Sequence, residues 1–335
     1  MAVTRPFSDE QSRLLINLRQ RYETWMESER ALAVLPYDLR RKTVSGREYL
    51  YRIFDRGGNG ASLGPMTPEL EQQFEAYHAE KSALKDRIRS LRPVLAESAA
   101  LYRALRLPLL SSEAGPILRE CDRRSLLGTH LLVVGTNAIP AYMAEANAAI
   151  LLPDETEDFD IAWVAEEAEE NERRVWDMLK AVDSTFTLNT ERTFQARNAK
   201  AYEVELLVAP SRAETLGSRD QPRPIPLPEQ EWLLLGRPVD HVIGCRDGTP
   251  ARIVAPDPRW FALHKLWMAR QAKRNPLKRP KDRQQGMALL DAVAQAMPHY
   301  PLDENFEGEL PGELHDCFAE WRESSSATAA TVPRF

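Results

Sequence analysis

The stretch Val133–Val164, "VVGTNAIPAYMAEANAAILLPDETEDFDIAWV", constrains the fold more than any other part of the chain. A short apolar run ends at Gly135, a helix-like segment follows, and a second apolar run carries Asp158 and Asp160. Side chains two residues apart on a strand point to the same face. Carboxylates weaken a half-buried strand because the sheet surface cannot solvate them. The pair therefore predicts either a functional site or, as an alternative, solvated residues at the end of an acidic run.

The order of the patterns divides the chain into three zones. The middle zone, 116–255, alternates apolar runs with amphipathic segments, and its later strand "AYEVELLVAP" carries Glu205. This alternation predicts an α/β core, a mixed sheet flanked by helices. The zone 1–115 is predicted to be mainly helical, with a β-hairpin at 45–65 and a helix break at Pro93. The zone 256–335 is again predicted to be helical, and it contains a basic segment at 270–283.

Composition narrows the class of protein. The chain has 335 residues, a formal net charge of −6 and three widely spaced cysteines. An odd number of cysteines without a CxxC motif is typical of a reducing compartment and argues against a disulfide framework or a zinc site. No apolar run reaches the roughly 20 residues of a membrane span. The sequence therefore predicts a cytoplasmic protein without membrane contact, and it leaves the oligomeric state open.

The carboxylates and the glycine turn together indicate a phosphoryl-transfer site. If the strand with Glu205 pairs with the strand of Asp158 and Asp160, three carboxylates converge and repel one another unless a cation neutralises them. Hard oxygen ligands of this kind select Mg²⁺ or Mn²⁺. Backbone N–H groups at the turn of Gly135 and the hydroxyl of Thr136 are suited to bind a triphosphate.

Two of these assignments have alternatives in the sequence itself. Glu203 lies two residues before Glu205 on the same strand face, so it competes for the role of third carboxylate. Gly135 also fits a simple tight turn, since glycine is the residue that such turns prefer.

The combined pattern resembles the nucleotidyltransferase fold of the polymerase-β-like superfamily. The wording "GTNAIPAY…TEDFDI" is most similar to a poorly characterised group of bacterial nucleotidyltransferase-fold proteins. The resemblance implies that Asp158, Asp160 and Glu205 are the catalytic, metal-binding carboxylates and that Gly135 and Thr136 hold the nucleotide. The sequence departs from the family pattern in two ways. The third carboxylate is usually Asp and here is Glu, and the gap from Gly135 to Asp158 is longer than in minimal family members.

The resemblance extends more loosely into the C-terminal zone. The segment "HKLWMARQAKR…KRPKDRQQGMALL" is similar to the helices that follow the core in nucleotidyltransferase-like toxins. It implies that Lys265 and Asp282 contribute to nucleotide binding, with Asp282 orienting Lys265 or another basic side chain. The alternative for Lys265 is a side chain that snorkels from an apolar helix, and His264 is expected to pack rather than to catalyse.

The expected activity is transfer of a nucleoside monophosphate from an NTP to an acceptor hydroxyl with two Mg²⁺ ions. The alternatives are a non-catalytic nucleotide- or RNA-binding protein of the same fold and a kinase-like phosphotransferase. RNA such as tRNA, a protein side chain and a small molecule remain open as acceptors, and so does the base of the NTP.

Two further segments bear on an RNA partner. In 270–283, seven of fourteen residues are Lys or Arg, which fits either phosphate binding or a solvated basic loop. The tyrosines of the predicted hairpin "REYLYRIF" fit either base stacking or sheet packing.

Overall fold

The computed structural model describes residues 3–153, 158–168 and 172–330, with side chains described as far as 325. The chain forms two compact units. One unit comprises Met1–Ile16 and Ala99–Phe335, and the other comprises Asn17–Ser98. Both sides of the sequence division near residue 255 thus belong to the same unit.

The described residues include both strands and α-helices. The strands are β1 (Thr4–Pro6), β2 (Asp38–Val44), β3 (Arg47–Ile53), β4 (Gly60–Pro65), β5 (Leu131–Val133), β6 (Ala148–Ile150), β7 (Asp158–Trp163), β8 (Thr187–Leu188), β9 (Gln195–Arg197), β10 (Glu203–Val208), β11 (Val239–Ile243) and β12 (Ala251–Ala255). The α-helices are α1 (Asp9–Val34), α2 (Pro68–Ala104), α3 (Ala114–Arg123), α4 (Ile139–Glu145), α5 (Arg174–Val182), α6 (Pro258–Arg270), α7 (Arg279–Ala296), α8 (Glu304–Gly308) and α9 (Gly312–Ala330).

The unit of residues 17–98 contains an antiparallel sheet in the order β2-β3-β4. Strands β3 and β4 form a hairpin within 45–65, and β2 adds a third strand that the sequence analysis did not predict. Most side chains of β2 are exposed, so this strand lacks the alternation by which strands are recognised. Leu39, Leu50 and Tyr77 form a buried cluster in this unit.

The predicted helix break at Pro93 is wrong. Helix α2 continues through this proline and is 37 residues long. A proline inside a helix removes one backbone hydrogen bond and costs roughly 3 kcal/mol, so the other hydrogen bonds and packing of a helix of this length outweigh that cost.

The larger unit is built on a mixed five-stranded sheet in the order β5-β7-β10-β9-β8. Strands β7 and β10 are parallel, and the other neighbouring pairs are antiparallel. The core is therefore an α/β arrangement with a mixed sheet, as the sequence predicts. The amphipathic pattern of residues 166–183, "EEAEENERRVWDMLKAVD", is typical of a helix, and α5 covers the later part of it. Residues 169–171 of this segment lie outside the described residues.

Alternation along the two central strands separates the core from the site. Phe159 and Ile161 of β7 and Val204 and Leu206 of β10 are at most 1% exposed. The residues between them are only half-buried, so the acidic side chains share the opposite face. Among the helices of the described residues, none is long and apolar enough to cross a membrane.

Candidate functional site

The parallel pairing of β7 and β10 brings the predicted carboxylates together. Glu205 is the register partner of Asp160, and Glu203 is the partner of Asp158. Partners in adjacent strands point to the same face, so all four acidic residues lie on one patch of the sheet. The alternative interpretation rests on the acidic run before β7, and residues 154–157 of that run lie outside the described residues.

The glycine turn packs directly against this patch. Gly135 has φ +66°, and a Cβ atom there would overlap Oδ2 of Asp160 and lie 2.9 Å from its Cγ. Both the positive φ and the close approach require glycine. The amide of Val134 donates to the carbonyl oxygen of Asp160 over 3.0 Å, and Nδ2 of Asn137 donates to that of Asp158 over 2.8 Å. The turn thus contacts the start of β7 at both aspartates, which is more than a simple chain reversal needs.

Burial and mutual repulsion both disfavour the ionised form of the carboxylates. Burial, followed by the charges of Asp158 and Glu205, raises the pKa of Asp160 to about 7. Burial and the charge of Asp158 also raise the pKa of Glu205. Lys265 and Lys278 oppose the shift at Asp160 without cancelling it. An additional cation at this position would therefore stabilise the ionised cluster.

A cavity of about 450 Å³ opens over the aspartate pair. Its lining combines carboxylates with four basic side chains, and consists of Thr136, Asp158, Asp160, Ala201, Glu203, Lys265, Arg274, Lys278, Lys281 and Asp282. The structure thus gathers most of the predicted site residues in one place. Gly135 and Glu205 do not line the cavity, although both lie next to Asp160.

Helices α6 and α7 contribute a buried ion-pair network to the cavity. The ammonium of Lys265 donates to Oδ1 of Asp282 over 3.1 Å, and Nε of Arg274 donates to its Oδ2 over 2.7 Å. Lys265 is 7% exposed and Asp282 is 2% exposed. The lysine therefore does not snorkel to solvent, because the carboxylate holds its charged end at the cavity wall. These two cations lower the pKa of Asp282 against the opposing effect of burial.

Lys278, in the basic segment 270–283, contacts one of the carboxylates. Nζ of Lys278 lies 3.3 Å from Oδ2 of Asp158, and its side chain is 53% exposed. Lys281 also lines the cavity, and burial is the main cause of its lowered pKa. Lys278 and Lys281 thus face the cavity, so this part of the segment is not a detached loop.

His264 lies beside this network but does not line the cavity. Burial, followed by the charge of Lys265, lowers the pKa of His264 to about 3, so the ring is neutral. Its ring centroid is 6.4 Å from that of Trp232. This environment is that of a packing residue.

Two glutamines complete the site, and the sequence analysis did not identify them. Nε2 of Gln285 donates to the carbonyl oxygen of Pro153 over 2.5 Å and to Oγ1 of Thr136 over 3.4 Å. Gln285 lies three residues after Asp282 on α7, and this helical spacing is a signal that could have identified it. Nε2 of Gln195 donates to both Glu203, over 2.7 Å, and Glu205, over 3.2 Å.

Gln195 gave no comparable signal, because it lies on the three-residue strand β9. A strand of that length is too short for any sequence periodicity to show.

The donor set fits a hard divalent cation held together with a substrate. Within the described residues, no group of three or more His, Cys, Asp or Glu side chains is placed to hold a metal ion by itself. Mg²⁺ does not need such a group, since it is commonly bound by one or two carboxylates, water and substrate phosphates. Asp158 and Asp160 provide that pair, and a bound cation would relieve the repulsion between them.

Comparison with known proteins agrees with this geometry. A model of a family described as nucleotidyltransferase matches residues 112–310, more than half of the chain. The chain therefore belongs to this nucleotidyltransferase family. Searches of curated proteins and of solved structures gave no match.

Family membership supports nucleotidyl transfer as the general activity and implies an NTP as substrate. The matched range includes β5, the glycine turn, β7, β10 and the helices that carry Lys265 and Asp282. The whole cavity described above thus lies inside the region that defines the family.

Proposed function

We propose that this protein transfers a nucleoside monophosphate from an NTP to an acceptor hydroxyl in the cavity above β7 and β10. One observation carries the proposal. The parallel register places Asp158, Asp160 and Glu205 on one face, directly beside the Gly135 turn and opposite a wall of cations. A site of this kind offers negative charge for a metal and positive charge for a triphosphate, and NTP chemistry needs both.

The chain's own residues have separate tasks in this proposal. Lys265 and Arg274, both fixed by Asp282, bind phosphate oxygens and need no reorganisation when the substrate arrives. At the glycine turn, the hydroxyl of Thr136 donates a hydrogen bond to the triphosphate. Lys278 exchanges its contact with Asp158 for a phosphate oxygen.

Asp158 and Asp160, with Glu205 beside them, would hold Mg²⁺ or Mn²⁺. When bound, such ions polarise the α-phosphate and neutralise the charge of the leaving pyrophosphate.

The reaction forms one bond and breaks one. The acceptor oxygen attacks the α-phosphorus, and the bond from this phosphorus to the oxygen that bridges to the β-phosphate breaks. Pyrophosphate leaves, and the acceptor proton passes to the carboxylate of Glu205. Positioning and charge neutralisation supply the rate enhancement, as is general for phosphoryl transfer.

Labelled nucleotides test this proposal directly. Full-length protein is incubated with each α-³²P NTP, with Mg²⁺ or Mn²⁺, and with total RNA or cell extract, and the products are separated on a gel. Label in RNA or protein that disappears with Asp160→Asn is the expected result. Label from γ-³²P ATP alone would instead establish a kinase-like reaction. Nucleotide binding without any label on RNA, protein or small molecules would establish a non-catalytic binding protein.

A further inference from the structure

The sheet of the unit 17–98 has a face that is open to solvent along most of β2 and β3, although Ile53 at the end of β3 is buried. Leu39 and Leu50 point into the buried cluster with Tyr77 of α2. The alternate residues of β2 and β3 point to the other side. We call this side the tyrosine face and define it by Arg40, Lys42, Arg47, Tyr49 and Tyr51.

Two rings lie at the centre of this face. Tyr49 and Tyr51 are on β3, the middle strand, and both are half-buried, so part of each ring is open to solvent. They are two residues apart, which separates them by about 7 Å along the strand. Their cross-strand partners on β2 are Lys42 and Arg40. The centre of the face is therefore aromatic and its edge is basic.

The basic edge has charge that carboxylates of this unit do not neutralise. Arg40 pairs with Asp38 over 2.8 Å. Nζ of Lys42 lies 4.6 Å from the ring centroid of Tyr51. Lys42 and Arg47 are exposed and have no acidic partner among the described residues of the unit. Residues 38–56 contain six Lys or Arg and three Asp or Glu, whereas the whole chain has a net charge of −6.

Aromatic rings interleaved with cations match the chemistry of one ligand class. Single-stranded nucleic acid is bound by proteins that stack its bases on aromatic side chains and neutralise its backbone with Lys and Arg. An acidic protein segment would use the cations but would leave the two exposed rings without a role. A double helix would hide its base faces from the rings.

We propose that the tyrosine face binds single-stranded RNA, with Tyr49 and Tyr51 stacking on two bases and Lys42 and Arg47 contacting the phosphates. The proposal concerns equilibrium binding by this unit and does not depend on the activity proposed for the carboxylate cavity. If both proposals hold, RNA bound here belongs to the class from which the acceptor is drawn.

The test is a fluorescence-anisotropy titration of a labelled single-stranded RNA of mixed sequence, with the full chain carrying Asp160→Asn so that turnover does not interfere. Replacing both tyrosines by Leu removes the rings but keeps apolar volume, and we expect Kd to rise about 10-fold or more. Replacing both by Phe keeps the rings, so affinity should change less than about 3-fold.

The charge variants separate specific contacts from general attraction. Lys42→Gln with Arg47→Gln should make the slope of log Kd against log salt shallower by about 1.4, the value for two phosphate contacts on a single strand. The matched control is Lys85→Gln with Arg87→Gln, which removes the same charge from exposed positions of α2. It should leave both Kd and slope close to the wild-type values.

Several results would overturn the proposal. The Leu variant could bind like wild type while its melting temperature shows that it is folded, or the α2 control could weaken binding as much as the face variant. Duplex RNA could bind as tightly as the single strand. Loss of binding only when Lys278, Arg279 and Lys281 are replaced by Ala would move the RNA to the basic segment 270–283. If the chain with an unchanged tyrosine face bound no RNA, the proposal would be wrong, and a protein partner would be the next ligand to test on this face.

Discussion

Two cavities of the larger unit lie at the two ends of β7, and they differ in how their buried carboxylates are paired. The carboxylate cavity lies at the start of the strand, at Asp158, and measures about 450 Å³. The second lies just past its end, at Val164 and Ala165, and measures about 740 Å³. In the second cavity Arg212 pairs with Glu166 over 3.1 Å. The fully buried Asp257 of that cavity accepts hydrogen bonds from Arg259 and from a backbone amide.

The two cavities therefore differ in the state of their most buried carboxylate. The buried carboxylate of the second cavity is satisfied by its own neighbours, as a structural ion pair must be. In the carboxylate cavity, Asp160 has its pKa raised to about 7 by burial and by like charges. Perturbed groups of this kind cluster at functional sites because they are poised for a ligand that the fold does not supply.

The aspartate pair gives the largest expected effect. Asp158→Asn and Asp160→Asn should each reduce nucleotidyl transfer about 10³-fold, because the charges that hold the metal and face the triphosphate are lost. The melting temperature of the metal-free protein should stay level or rise, since removing one charge relieves repulsion. Initial rates and thermal unfolding measure the two effects.

The second cavity provides the matched control for this prediction. Glu166→Gln also removes one carboxylate from a cavity wall, but its side chain is 81% exposed and paired with an arginine. We expect wild-type transfer rates. If Glu166→Gln and Asp160→Asn reduced the transfer rate equally, the different pairing of the two carboxylates would have no bearing on function. Wild-type transfer rates in both aspartate variants would exclude the metal assignment.

The third carboxylate should separate chemistry from binding. Glu205→Gln should lower turnover about 100-fold with only a modest loss of NTP affinity, as expected for a group used mainly in the transition state. Glu205→Asp, the usual family residue, should keep measurable turnover. Single-turnover rates and equilibrium NTP binding measure the two quantities.

The matched variant is Glu203→Gln, on the same strand face. Glu203 is already bound by Arg197 and Gln195, so we expect its loss to change turnover only a few-fold. A dead Glu203→Gln with a normal Glu205→Gln would assign the role to the residue that lines the cavity. Normal turnover in both variants would contradict a model with three carboxylates.

Part of this site could be predicted because it depends on local rules. The period of two along a strand places Asp158 and Asp160 on one face. The pairing with the strand of Glu205 was a condition in the sequence analysis, and the structure shows that the two strands pair. The contact of Lys265 with Asp282 was predicted from a family resemblance. What the sequence could not show is long-range geometry, such as the overlap that a Cβ at Gly135 would cause with Asp160.

A paired carboxylate outside both cavities extends the comparison to pH. Glu145 accepts hydrogen bonds from Nε2 of His241 over 2.5 Å and of His299 over 2.6 Å. The hydrogen bond with His241, together with that of His299 and against burial, lowers the pKa of Glu145 to about 2. This direction is opposite to that at Asp160, because here the neighbouring side chains donate hydrogen bonds to the carboxylate.

The sign of the pH effect follows from this shift. A folded-state pKa below the unfolded value stabilises the fold above about pH 4.5, and the stabilisation is lost as pH falls towards 2. Glu145→Gln should therefore reduce the free energy of unfolding by on the order of 2 kcal/mol at pH 5, and the difference should vanish near pH 2. Urea unfolding at several pH values measures it. A difference that stays constant over this range would mean that the carboxylate charge contributes nothing.

The smallest expected effect concerns the residue that orients Thr136. Since Nε2 of Gln285 donates to Oγ1 of Thr136, the hydroxyl proton is free to point into the cavity and donate to a phosphate. Thr136→Val and Gln285→Met should each raise KM for the NTP about 5-fold, the equivalent of one hydrogen bond.

If the glutamine acts through the threonine, the double variant should be no worse than either single variant, a coupling of about 1 kcal/mol. Thr136→Val combined with Glu166→Gln is the control, and its effects should add. Additive effects of Thr136→Val and Gln285→Met, or a Gln285→Met variant that lowers only the melting temperature, would reduce Gln285 to a packing residue.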